Sequence, residues 1–273
     1  MASTCQAIPP VYFPLPMPLP AEYEPVERDP KKLRKTAWIL VAISAIGGIL
    51  ILKAYNQYGA KKSADDRPSI THRIQKERDL RIIRQDGKTV DLFELRGHVW
   101  VVGVISLQNP AATERSQAVM KRLAEKHATR PDFNLVSLAV EPVPAQDAVT
   151  TLTKSAETLG MKLPQWWLGT NEPTTLHKFI KNELKANAFP HQEDGRWLFD
   201  TSIVLVDKNG HIRRAVVPQK QGGPPYIATF DFDQAAKWDA ENKLTGTARN
   251  NQEELESLLE KTIDTLLAEP LKN

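Results

Sequence analysis

The longest apolar stretch of the chain is TAWILVAISAIGGILIL, Thr36 to Leu52, in which no residue is charged. It is apolar all round rather than on one face, which predicts a membrane-spanning helix over 36–55. At 1.5 Å per residue the run covers roughly 25 Å, near the thickness of a bilayer core. Trp38, Lys53, Tyr55 and Tyr58 stand at its edges, where interfacial residues belong. A cleaved signal peptide fits less well, because the segment ahead of the run is long and no Ala-x-Ala site follows closely.

From Asp79 onward the pattern becomes that of a globular domain. LRIIRQDGKTVDL predicts a hairpin about Asp86-Gly87. Val99–Ile105 is a continuous apolar run and predicts a buried strand, followed by a helix with Val119, Met120 and Leu123 on one face. Phe133 to Pro142 predicts a second buried strand, and Asp147 to Leu159 a helix closed by Gly160. Leu176, Phe179, Ile180 and Leu184 recur at helical spacing. SIVLVDKNGHIRRAVV predicts a hairpin turning at Asn209-Gly210. A last helix is expected to start with Asn251 as cap and Glu254 three residues on. It would bury Leu255, Leu258, Leu259, Ile263, Leu266 and Leu267. The order is hairpin, strand, helix, strand, two helices, hairpin, helix. With a right-handed strand–helix–strand crossover, this predicts an α/β, thioredoxin-like fold: a central mixed sheet with helices on both faces, behind one transmembrane helix.

The remaining stretches divide the chain. Residues 1–35 form a proline-rich tail, read as an extended, flexible segment in preference to a PxxP docking peptide. Residues 36–55 are the transmembrane helix, 56–78 a charged linker, and 79–273 the domain, with an irregular insertion at about 219–248. Arg28, Lys31, Lys32, Arg34 and Lys35 before the span outweigh Lys53, Lys61, Lys62 and Arg67 after it. That bias puts the N-terminus and tail in the cytoplasm and the domain outside. Net charge is +3 over 273 residues, which argues against a nucleic-acid partner. The single cysteine, Cys5, excludes an intrachain disulfide and any thiolate cluster. It also lies before the span, on the opposite side from the domain.

Strand Val99–Ile105 ends in Ser106-Leu107-Gln108, and Asn109-Pro110 then opens a helix. Such a strand-to-helix junction is a common place for chemistry, yet this one carries no Cys, His, Asp or Lys. Asn is a good N-cap and Pro a good first helical residue, so the pair starts a helix without any other role. Free N–H groups there would otherwise suit an anion. The six histidines include no pair at i, i+3 or i+4. A relocated metal site joining His191 with Met161 is a secondary reading. Ser106 and Ser116 show no neighbouring base, and Glu141, Asp147 and Asp200 show no convergence in sequence, so no enzymatic activity is expected. Trp166-Trp167 reads as core packing.

Taken in order, DGKTVDLFELRGHVWVVGVI, LVSLAVEP, WWLGT and FDTSIVLVDKNGHIRR resemble the SCO/SenC family, over about Asp79 to Val217 and the final helix. The resemblance implies a membrane-anchored, thioredoxin-like protein acting in cytochrome c oxidase assembly, in a bacterial inner membrane with the domain periplasmic. It also implies copper held by two cysteines of a Cys-Pro-x-x-Cys-type loop and a distant histidine. Those positions fall on Asn109, Thr113 and Thr201, or on Gln108 and Ala112 if the loop slips by one residue, so the site reads as degenerate. An amide and two hydroxyls do not replace the sulfur and imidazole that copper(I) prefers, and no thiolate is left for disulfide exchange. The expectation is therefore no cofactor and a protein-binding or assembly role. The partner would be a respiratory oxidase or another SCO-like protein, met through the aromatics Tyr226, Phe230, Phe232 and Trp238 of the insertion. The alternative is a copper metallochaperone with non-standard ligands.

Overall fold

The computed structural model describes residues 29–63, 67–217, 225–243 and 247–271. Most of the proline-rich tail, Cys5 and part of the 219–248 insertion lie outside them. Two units are present, divided at Tyr55. Helix α1 spans Pro30–Ser63, so most of it belongs to the first unit and its last turns run past that division. It begins earlier and ends later than the 36–55 expected, because Pro30 takes the first helical position and Asp29 accepts the Lys31 N–H at 2.9 Å. The basic residues 31–35 then continue the helix, as Lys and Arg are good helix formers. Ile39, Leu40, Val41 and Ile43 are all exposed. The stretch Pro30–Gln57 is long and apolar enough to cross a membrane.

The second unit begins with β1 (Ser69–Arg73), β2 (Arg81–Arg84), β3 (Thr89–Asp91) and β4 (Val99–Ile105). After a short 3-10 turn at Pro110–Thr113 come α2 (Glu114–Lys126), β5 (Phe133–Ala139), α3 (Ala145–Leu159), β6 (Trp166–Thr170) and α4 (Pro173–Asn182). A hairpin, β7 (His191–Glu193) and β8 (Arg196–Leu198), is followed by β9 (Val204–Val206), β10 (His211–Arg214), β11 (Val216–Val217) and β12 (Tyr226–Ile227). Helices α5 (Phe232–Ala240) and α6 (Asn251–Ala268) complete the unit.

Eight strands form one sheet in the order β1-β10-β9-β4-β5-β6-β2-β3. β4, β5 and β6 are parallel, β9 runs antiparallel to β4, and β10 antiparallel to β9. The β4–α2–β5 crossover joined to β9–β10–α6 along the β4–β9 edge is the thioredoxin-like arrangement. Alternation along β4 separates two cores. Val99, Val101 and Ile105 face one, with residues of α2, α3 and α6; Trp100, Val102 and Val104 face the other, with α4. Each side chain fully buried this way contributes roughly 1.5–3 kcal/mol relative to exposure. Gly169 on β6 allows a close approach to β2: an added Cβ would press on the Ile82 side chain, which would have to move.

Several sequence expectations change. The linker read at 56–78 contains β1, which pairs with β10 as an edge strand of the main sheet. Its SITHR sequence is polar on an exposed edge, so no apolar period marked it. WWLGT is not packing alone but a third parallel strand, β6, with both tryptophans buried. The β7–β8 hairpin turns at Asp194-Gly195, a signal that was open to reading. Asn250 rather than Asn251 caps α6, accepting the Glu253 N–H at 2.8 Å, while Asn251 is bound to Asp239. The insertion is not an appendage: Phe230 and Phe232 are buried in the first core. The hairpins at Asp86-Gly87 and Asn209-Gly210, and Gly160 at φ 75° closing α3, form as the sequence predicts.

Candidate functional site

The junction after β4 lies at the C-terminal edge of the parallel strands, where open α/β sheets place ligands. Its geometry is set by Glu141, which follows β5 and is 3% exposed. The carboxylate accepts the Leu107 N–H at 2.9 Å, the Gln108 N–H at 3.2 Å and the Ser106 hydroxyl. Ser106 Oγ in turn accepts the Asn109 N–H at 2.9 Å. The chain thus supplies its own carboxylate to the two loop N–H groups just ahead of the helix start. β4 and β5 pair in register at Ile105 and Ala139, which brings position 141 opposite the loop. Sequence reasoning left Ser106 without a neighbouring base and Glu141 without a role; the missed signal was the equal length of two parallel strands.

Ser106 is not thereby a nucleophile. It is buried at 2% exposure, its oxygen both donates and accepts, and none of the hydrogen bonds it makes is to a histidine. Asn109 begins the 3-10 turn but makes no side-chain cap, contrary to the capping role expected. Pro110 sits at the first position, so the turn starts through proline's fixed φ. Thr113 is buried, its hydroxyl donating to the Pro110 carbonyl at 3.3 Å.

Thr201 precedes β9, and its hydroxyl donates to Asp233 Oδ2 at 2.7 Å. Asp233 Oδ1 accepts from Arg115 at 2.9 Å, two residues beyond Thr113. One carboxylate from the first turn of α5 therefore ties the Thr201 loop to the start of α2. This link was invisible in sequence, since the partners are 118 and 32 residues apart.

The donor set does not fit copper(I): one amide and two hydroxyls, with both hydroxyls committed to hard oxygen acceptors. Among the described residues no three of His, Cys, Asp and Glu are grouped to hold a metal ion. The structure does not bring His191 and Met161 together. Met161 is buried in the first core, whereas His191 sits on the exposed hairpin whose Trp197 packs on the second. The His191 ring bonds the Phe189 carbonyl at 2.9 Å. His72 pairs with Glu183 at 3.0 Å, His98 with Asn134 at 2.6 Å, and His177 with the Val140 carbonyl at 2.8 Å. Burial lowers the pKa of His127, which caps the far end of α2. Asp200 accepts the Ser202 N–H and Asp147 lies in the first turn of α3, and among the described residues neither shares a hydrogen-bond partner with Glu141.

No family model and no curated protein matches the chain. A search of solved structures finds thioredoxin-like neighbours of the SCO/SenC kind. The soluble domain of Sco1 from Bacillus subtilis is 24% identical, covering 55% of this chain and 83% of its own, at a TM-score of 0.42. A SCO1/SenC family lipoprotein from Bacillus anthracis is 21% identical, covering 57% and 89%, at 0.42. Copper-bound ScoI from Bradyrhizobium japonicum is 17% identical, covering 67% and 96%, at 0.38.

Proposed function

We propose that this chain is a membrane-tethered, SCO-like domain that works by binding a protein rather than by metal or thiol chemistry. Its place is the assembly of a respiratory oxidase, in a bacterial inner membrane with the domain periplasmic. The observation that carries the reading is the closed network at the strand-to-helix junction. Glu141 occupies the loop N–H groups, and Asp233 occupies Thr201 and Arg115, leaving neither a soft ligand nor an accessible nucleophile. α1 supplies the anchor, and the excess of Lys and Arg before it supports an N-terminus inside. The domain boundaries read from the sequence stand in this proposal, with the β1 strand moved from linker to domain.

Two measurements on the full chain in detergent test the proposal. Loaded with copper(I) and desalted, it should retain far less than one copper per chain. Purified from its own membranes after mild cross-linking, it should bring down an oxidase subunit or a second SCO-like protein. Stoichiometric copper, or disulfide reductase activity, would transfer the function to the metallochaperone alternative or to redox chemistry.

A further inference from the structure

On the first-core side, β12, α5 and the first turns of α6 enclose a groove of about 930 Å³. Small-ligand pockets run to roughly 300–1,000 Å³, so this volume holds several side chains at once. Its apolar wall includes Tyr226, Trp238, Leu255 and Leu258. Leu255 and Leu258 belong to the same helical stripe as Leu259, Ile263 and Leu266. The later members are buried in the core, while these two are only partly covered. Tyr226 is 51% exposed. A stripe that continues past the protein's own core, flanked by a tyrosine and a tryptophan, has the composition of an interface hot spot.

Charge decides the occupant. Asp231 and Glu254 line the groove, and among the described residues no lysine or arginine does. Asp231 Oδ1 accepts the Gln234 N–H at 2.9 Å, and Glu254 Oε2 faces the Thr247 hydroxyl at 3.5 Å. Both contacts are with neutral donors, so both negative charges remain. Apolar contact supplies most of the attraction, and the carboxylates select the sign of what lies beside it.

We propose that this groove docks a segment of a partner protein in which apolar side chains are flanked by lysine or arginine. The inference rests on the protein-binding reading above and adds the surface and the chemistry of what it receives. The corresponding experiment uses the full chain in its own membranes with a photoreactive residue at one of two positions, Tyr226→benzoylphenylalanine or, outside the groove, Phe189→benzoylphenylalanine. The Tyr226 probe should cross-link to a partner peptide with basic residues beside apolar ones, and Glu254→Lys should lower the yield about tenfold. A neutral or acidic captured segment, an unchanged yield with Glu254→Lys, or capture only of lipid, a second copy or this chain itself overturns the proposal. If only the Phe189 probe captures a partner, the protein-binding reading stands and the groove falls. If neither probe captures a protein, both fall.

Discussion

The loop around Ser106 and the groove beside Trp238 treat their binding potential in opposite ways. At the loop, the buried polar groups are taken by the chain itself: Glu141 by two N–H groups and a hydroxyl, Asp233 by Thr201 and Arg115, while the side-chain amides of Gln108 and Asn109 are exposed. At the groove, apolar surface of the kind buried elsewhere in α6 is left partly uncovered, beside two carboxylates whose hydrogen-bond partners among the described residues are neutral. The strand-to-helix loop is held closed by hydrogen bonds within the chain.

The largest expected effect is at the loop. Glu141→Ala removes the acceptor of three donors, and leaving buried donors unpaired costs about 3 kcal/mol in total. Thermal unfolding of the detergent-solubilised chain reads this as a fall in Tm. An unchanged Tm would mean the loop holds itself and would break the comparison. Asp233→Ala should cost less, about 1 kcal/mol, since its partners are partly exposed. The Thr201 loop should exchange its amide hydrogens faster, by mass spectrometry, while the groove does not.

A pH series sharpens the contrast from the far end of α2. His127 has a buried Nε2 with no hydrogen-bond partner among the described residues, and burial lowers its pKa below the usual 6.5. Asp264 and Glu260 oppose that shift, and Lys126 and Arg130 add to it. The unfolded chain therefore takes up this proton more readily than the folded one. Stability from this group is full above about pH 6.5 and falls as pH drops toward the folded pKa. His127→Phe should flatten the slope of Tm against pH between about 7 and 5; an unaltered slope would assign the dependence elsewhere. The smallest effect on folding belongs to the groove. Tyr226→Ser should change stability by less than about 0.5 kcal/mol, yet reduce partner capture strongly. If stability falls and capture does not, the groove is part of the core after all.

Patterns of short range carried most of the fold. The all-apolar run of α1, the buried strands β4 and β5, the turns at Asp86-Gly87 and Asn209-Gly210 and the stripe of α6 were legible because each depends on neighbours within a few positions. β1 was not, since an exposed edge strand needs no apolar period and is fixed by its partner β10, some 140 positions away. That the strand-to-helix junction carries no cysteine or histidine was likewise plain from residue types alone.

How the junction is held was decided in three dimensions. Glu141 reaches Ser106 only because β4 and β5 lie parallel and in register, and Asp233 reaches Thr201 only because α5 packs against α2. The sequence also placed Phe230 and Phe232 with Tyr226 as contact residues, and packing separated them, burying two and exposing the third. Local preference follows from neighbours along the chain, whereas burial and pairing follow from which distant segments arrive at the same place. The chain's own residues could therefore state which residue types the junction lacks, and only the tertiary structure could show how that junction is held and which surface stays open.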